Sequence, residues 1–323
     1  MRIIFLGSPD FALPSLDALV ESEHEIVAVF TQPDRPVGRG RRLAPPPVKV
    51  RALAAGLDVR QPASVSRPEV VDELRRMAPD VMVIAAYGQI LRQRVLDVPP
   101  LGVLNVHASL LPRWRGAAPV AAAILAGDRE TGATIMKVQR ELDAGPILDA
   151  VALPIRPDHT TGTLTAEIAE AGAKLLIDVL PRWAAGEITP REQDASQATY
   201  APPLKKEDAL LDWERDSAEA VWRKTRAYNP WPCAYTYIDG APLRILDCTP
   251  LAHDFDAEPG TVFTFTGVEE QQLMGAGFGV VCAQGEVGVV TVQPPGGRPM
   301  RAADYVNGHR EIIGKRLRTR AAA

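Results

Sequence analysis

The 323-residue chain has three cysteines, Cys233, Cys248 and Cys282, widely spaced and without a CxxC pair. An odd, scattered set excludes a disulfide framework and fits reduced thiols in a cytoplasmic protein. No histidine or cysteine pair has ligand spacing, so no metal is expected. No apolar run reaches the ~20 residues that span a bilayer, so the chain is not expected to cross one, and no membrane partner is expected. The opening segment, Met1 to Gly7, is too short an apolar stretch for a signal peptide and runs straight into a strand-turn pattern. No period repeats. Net positive charge is missing too: 36 Lys and Arg face 40 Asp and Glu, a formal charge of −4. The charge is uneven, however. Arg35, Arg39, Arg41, Arg42, Lys49 and Arg51 stand against Asp34 alone between 34 and 51, and 310–320 is also basic. Such patches bind phosphates whatever the overall sum.

With 46% hydrophobic residues, the chain can bury one large core or two modest ones. Its first half alternates short apolar runs with helical segments, the pattern of an α/β fold with a parallel sheet. Strands are expected over 2–6, 25–31, 58–61, 81–86, 102–107 and 133–138, several of them continuous Val/Ile/Ala runs suited to burial on both faces. Helices fit at 14–22, 48–55, 67–77 and 119–127, followed by an outlying strand over 146–155 and a long amphipathic helix over 160–185. A polar, Pro-containing stretch then reads as a linker over 189–206. Beyond it come a helix at 217–226 and short strands at 234–238, 243–248, 260–265, 279–283 and 287–293, punctuated by Gly and Pro as in a small β-barrel. The expected domains are 1–188 and 207–315.

Gly7-Ser8-Pro9-Asp10 follows the first strand but lacks the further glycines of a dinucleotide fingerprint, so it marks only a tight turn. The informative stretch runs from Gly102 to Pro119. Asn105 and His107 are two apart on a strand, so both leave the same face, at the carboxyl end where open α/β sheets bind ligands. An amide N–H and an imidazolium on one face can both donate to the oxyanion of an acyl transfer. A lone histidine there would more often be an ordinary hydrogen-bonded strand end. A carboxylate to accept a proton is available in Leu142-Asp143-Ala144-Gly145, a turn after the next strand; neighbouring strand ends would bring Asp143 to His107. By itself, an Asp in a Gly-containing turn is usually only a turn former.

Asn105-x-His107, then Ser109-Leu110-Leu111-Pro112 with Trp114-Arg115-Gly116-Ala117-Ala118-Pro119, then Leu142-Asp143-x-Gly145, resembles the folate-dependent formyltransferases. The resemblance runs from Arg2 to about Arg310 and includes Gly38-Arg39-Gly40-Arg41-Arg42 and Asn229-Pro230-Trp231-Pro232, which point to the members acting on methionyl-tRNA. It implies a Rossmann-like catalytic domain and an OB-like C-terminal barrel that binds tRNA. It also implies 10-formyltetrahydrofolate as co-substrate, the initiator methionyl-tRNA as acceptor, and Asn105, His107 and Asp143 as the catalytic trio. Ser109, Leu110, Leu111 and Pro112 would line the folate site, with backbone groups from Ala86, Tyr87 and Gly88 toward the pterin. Arg39, Arg41 and Arg42 would contact the acceptor end of tRNA. A monomer without a metal is expected.

The chain departs from the family where Pro203 and Leu210 replace a common Lys and Arg, and where Gly297 replaces a basic residue. These positions concern tRNA contact, not the reaction. Two alternatives stay open: formyl transfer to a small amine, such as an amino sugar nucleotide or purine precursor, and a folate- or RNA-binding regulator without turnover.

Overall fold

The computed structural model describes residues 1–37, 42–251, 256–265 and 275–319. The chain divides into two compact units. One comprises Met1–Pro119, Arg129–Ile155 and Leu164–Pro202; the other comprises Val120–Asp128, Arg156–Thr163 and Pro203–Ala323.

The strands of the first unit are β1 (Arg2–Gly7), β2 (Glu25–Phe30), β3 (Arg35–Val37), β4 (Arg42–Ala44), β5 (Val59–Arg60), β6 (Val81–Ala85), β7 (Val103–His107), β8 (Arg115–Gly116), β9 (Glu130–Lys137), β10 (Ile147–Pro154) and β11 (Tyr200–Ala201). Helices α1 (Leu13–Glu21), α2 (Pro47–Ala54), α3 (Pro68–Met77), α4 (Gln93–Leu96), α5 (Pro119–Ala126) and α6 (Thr161–Ala184) punctuate the same stretch of chain. Seven strands form one sheet in the order β10-β9-β7-β6-β1-β2-β5. Alternation along β1 sends Ile3 and Phe5 to one face, against Leu16 and Leu19 of α1 and Leu176 and Val179 of α6. Ile4 and Leu6 go to the other, against Val70, Val71 and Leu74 of α3. Both faces are dry, which is why these strands lack polar alternation.

The sheet is not wholly parallel, as expected from the alternation, but mixed. β7, β6, β1, β2 and β5 are parallel, whereas β9 runs antiparallel to both β7 and β10. Residues 138–146 between β9 and β10 are too few for the crossover that a parallel pair needs, so β10 returns antiparallel. Further elements escaped the periodicity: the β3–β4 hairpin, which pairs Val37 with Arg42 on either side of 38–41, the single-turn α4, and the short β8 and β11. Segment 189–202 is tied down: Arg191 and Ile147 exchange backbone hydrogen bonds, and β11 pairs with β8.

In the second unit, β12 (Tyr235–Ile238), β13 (Ala241–Leu251), β14 (Val262–Phe263), β15 (Phe278–Val281), β16 (Glu286–Gln293) and β17 (Met300–Arg301) form an antiparallel sheet. The order is β12-β13-β16-β15-β14, with β17 also on β16. Register irregularities near Asp247 let the long β13 bend, so the sheet curls into a half-barrel. Helices α7 (Ala218–Ala227) and α8 (Ala302–Gly308) flank it, the latter unanticipated. Its core holds Trp213, whose indole N–H donates to Thr236 Oγ1 at 2.9 Å, together with Phe278, Cys248 and Cys282. Gly279 of β15 leaves room for the Phe263 ring, whose edge occupies the space a Cβ would take. Among the described residues no helix is long and apolar enough to cross a membrane.

Burial pushes both core thiols up, Cys248 to about 12. In the unfolded chain a thiol ionises from its ordinary value of 9.0, while in the core it stays protonated. The folded state therefore binds more protons at high pH, and stability should fall as pH rises from about 9 towards about 12. A thiol reagent at about pH 8 should modify only the half-buried Cys233 in the native protein, since the reactive form is an accessible thiolate. Mass spectrometry of the labelled peptides checks this; prompt labelling of Cys248 or Cys282 would show that the core is open.

Candidate active site

The carboxyl end of β7 carries the two residues singled out by spacing. Val106 faces α6, where a Cβ on Gly172 would come within 2.8 Å of its Cγ1. Asn105 and His107 therefore share the opposite face of the sheet. Asn105 is half-buried, and among the described residues its carboxamide makes no hydrogen bond. His107 is buried, with Nε2 3.0 Å from the Trp114 carbonyl. A carbonyl only accepts, so Nε2 carries the hydrogen and Nδ1 is left to face the site. Trp114 has a left-handed backbone, φ 62°, and its own N–H is held by Thr199 Oγ1 at 2.9 Å.

His107 Nδ1 lies 3.8 Å from Asp143 Oδ2. That is charge-coupling distance, longer than a hydrogen bond. Asp143 does not arrive there by the route its sequence position suggested. Because β9 is antiparallel to β7, the carboxyl end of β9 lies beside the start of β7: Lys137 is opposite Leu104, and the Val138 N–H donates to the Val103 carbonyl. Loop 138–146 must fold back to bring the carboxylate to His107. Asp143 sits at φ 48°, and its Oδ2 accepts the Gly116 N–H at 2.8 Å. Its Oδ1 has no partner among the described residues, and the side chain is 15% exposed. The cluster thus offers an uncommitted amide donor, an imidazole with one free nitrogen and a carboxylate with one free oxygen.

The other expected site residues are placed less uniformly. Ser109 is fully buried and committed to structure: its hydroxyl donates to the Arg113 carbonyl, and its carbonyl accepts from Thr134 Oγ1. Leu111 packs with Met136 and Ile147, and its N–H is also held by Thr134 Oγ1. Leu110 and Pro112 remain half-exposed. The Tyr87 side chain is part of the core and its carbonyl accepts from Ser8 and Gln32, whereas Ala86 and Gly88 are exposed with left-handed backbones. Arg42 is exposed at the start of β4; Arg39 and Arg41 lie outside the described residues. Sequence reasoning missed three groups that hold the trio: the Trp114 carbonyl, the Gly116 N–H and the Gln193 amide. The first two lie in the Trp114–Pro119 motif, but backbone groups leave no signature of their own. Gln193 fell in a stretch read as linker.

The chain matches the formyl transferase family over residues 1–180, and the formyl transferase C-terminal domain over 203–310. It is 49% identical over 319 residues to a methionyl-tRNA formyltransferase of Methylococcus capsulatus, covering 99% of this chain and 100% of that one. It is 51% identical to one from Chloroflexus aggregans, covering 95% and 97%. Solved structures share the fold at lower identity. HypX from Aquifex aeolicus in complex with tetrahydrofolic acid superposes with a TM-score of 0.64 at 20% identity, over 97% of this chain and 48% of that one. The sugar 3N-formyl transferase WlaRD superposes with a TM-score of 0.61 at 16% identity, over 89% of this chain and 96% of that one. With both halves matched and two relatives near half-identical almost end to end, the chain belongs to the formyl transferase family.

Proposed function

We propose that this chain transfers the formyl group of 10-formyltetrahydrofolate to the α-amino group of initiator methionyl-tRNA, as a cytoplasmic monomer. The observation that carries the chemistry is the approach of Asp143 to within 3.8 Å of His107, the residue that shares a face of β7 with Asn105. Near-complete similarity to relatives named methionyl-tRNA formyltransferase supports the acceptor. Formyl transfer to a small amine would leave the 207–315 half-barrel and the basic hairpin without a task.

In this reading the catalytic domain is 1–188, and the half-barrel over 207–315 holds tRNA. An unperturbed α-amine titrates near ~7.7–8.0, so part of it is already neutral at physiological pH. Its attack on a formyl carbon moves negative charge onto the formyl oxygen. The Asn105 carboxamide, with no competing protein partner among the described residues, donates to that oxygen. His107 is oriented by the Trp114 carbonyl and, as the imidazolium, donates from Nδ1. Asp143 takes the amine proton directly or through water; as the oxyanion collapses, the bond from the formyl carbon to the folate nitrogen breaks, that nitrogen regains a proton, and tetrahydrofolate leaves as an amine. Leu110, Pro112 and the backbone of Ala86 and Gly88 remain accessible to the folate. Arg39, Arg41 and Arg42 contact the acceptor end.

Mass spectrometry of the aminoacyl group, after incubation with 10-formyltetrahydrofolate and charged initiator tRNA, tests the assignment. Unformylated methionine, beside formylation of an amino sugar nucleotide, would select the small-amine reading.

Asp143→Asn keeps the shape but cannot take the proton. Turnover should fall roughly 10²–10⁴-fold with folate affinity little changed. Removing either Asn105 or His107 should cost about 10²–10³-fold, and removing both should cost less than the product, because they serve one oxygen. Fully multiplicative losses in single-turnover kinetics would deny that shared target. Arg41→Ala with Arg42→Ala should weaken tRNA use and leave folate binding alone. The slope of log affinity against log salt should flatten by roughly 0.7–0.9 for each phosphate that is no longer neutralised; an unchanged slope would remove the arginines from the interface.

A further inference from the structure

Gln193 comes from the 189–206 stretch and has no part in the chemistry described so far, yet both ends of its amide are in use. Its Oε1 accepts from Arg115 Nε at 3.1 Å and Nη2 at 2.9 Å. Its Nε2 donates to the carbonyls of Asp143, at 2.8 Å, and Gly145, at 2.7 Å. The donors of Arg115 leave only one orientation of the amide that satisfies both ends. Arg115 is itself 2% exposed and anchored in the β8–β11 pair. The residue after it, Gly116, holds the Asp143 carboxylate. Asp143 is therefore gripped twice from one strand, at Oδ2 through Gly116 and at its carbonyl through Arg115 and Gln193.

The choice of an amide is informative. Electrostatics alone would place a glutamate against a buried guanidinium, whose nearest acid is the exposed Glu141 at 3.7 Å. A carboxylate cannot donate, however, and two carbonyl oxygens face the other end of the side chain. Only a group that accepts at one end and donates at the other joins this cation to this turn. The turn needs such a tie. At φ 48° Asp143 is in the left-handed region, which Asp tolerates better than most residues but which still costs a residue with a Cβ some energy relative to extended backbone. Relaxation there would swing the carboxylate away from His107 Nδ1.

We propose that Gln193 is a positioning residue, which transmits the fixed place of Arg115 to the Asp143 turn and so sets the carboxylate beside the imidazole. The proposal rests on the reading of Asp143 as the proton acceptor. It is tested with Gln193→Glu, Asp143→Asn and the double variant, by single-turnover formylation of methionyl-tRNA, KM for both substrates, and thermal unfolding. Gln193→Glu keeps a partner for Arg115 and should stay folded. Its turnover should fall about 10- to 100-fold, the scale of a misplaced catalytic group, while both KM values change less than about 2-fold. The double variant should be no slower than Asp143→Asn alone, because the residue acts through that carboxylate. Wild-type turnover in Gln193→Glu overturns the proposal, as does a fully multiplicative loss in the double variant. Wild-type turnover in Asp143→Asn overturns the reading of Asp143 itself. Should Gln193→Glu unfold early, Gln193→Asn, one methylene too short to reach both anchors, replaces it in the same cycle with the same outcomes.

Discussion

The hydrogen bond from the Gly116 N–H to Asp143 Oδ2 holds together segments that the sheet by itself would keep apart. β9 delivers the chain to the start of β7, while His107 stands at its other end. The carboxylate must be brought back, and it needs a fixed donor at the end of that path. Gly116 provides one under a tight steric condition. Its φ is 112°, and a Cβ would sit 2.6 Å from the Ala201 carbonyl oxygen, inside the β8–β11 pair. The absence of a side chain thus serves the strand pair and the donor together. Residues 200–201 support the site without touching any reacting group.

The parallel core of the first unit was legible because its strands are uninterrupted apolar runs and its helices have separate periodic faces. The reversal at β9 was not, since the burial pattern of β9 would suit either direction. The short connection to β10 makes that strand antiparallel to β9, a geometric constraint and not a propensity, but it leaves the direction of β9 against β7 open. In the second unit the strands were legible but shorter or longer than expected: β13 extends past 248 through Thr249 and Pro250 to Leu251, and β14 is only two residues. Helix α8, with Asn307 and Gly308 at its end, carries little periodic signal.

For the proposed site, Asn105 and His107 stand out because β-strand spacing puts them on one face, whereas Asp143 joins them only through the resemblance that links the three motifs. The structure brings His107 and Asp143 within 3.8 Å of each other. Their orientation could not be found in the same way. It depends on a carbonyl at Trp114 and an N–H at Gly116, groups every residue has and whose direction only the local φ and ψ decide. The Ser109–Leu111 segment shows the converse. The family resemblance implied contact with a ligand there, whereas the Ser109 hydroxyl serves the loop itself and the Leu111 N–H is tied to Thr134 of β9.

The basic segment around the β3–β4 hairpin is less uniformly charged than its composition. Lys49 pairs with Asp34, whose carboxyl is held low by the hydrogen bonds from Lys49 and Gln61, and Arg51 pairs with Asp17 of α1. The positive excess that remains belongs to the hairpin residues, on a molecule of net charge −4. A net charge of −4 gives a polyanion no general attraction to this protein, so attraction has to come from local basic segments such as this one and 310–320. Charge gathered in a few segments of a molecule that is negative overall acts on a polyanion as an orienting field, which favours some directions of approach over others before any contact forms.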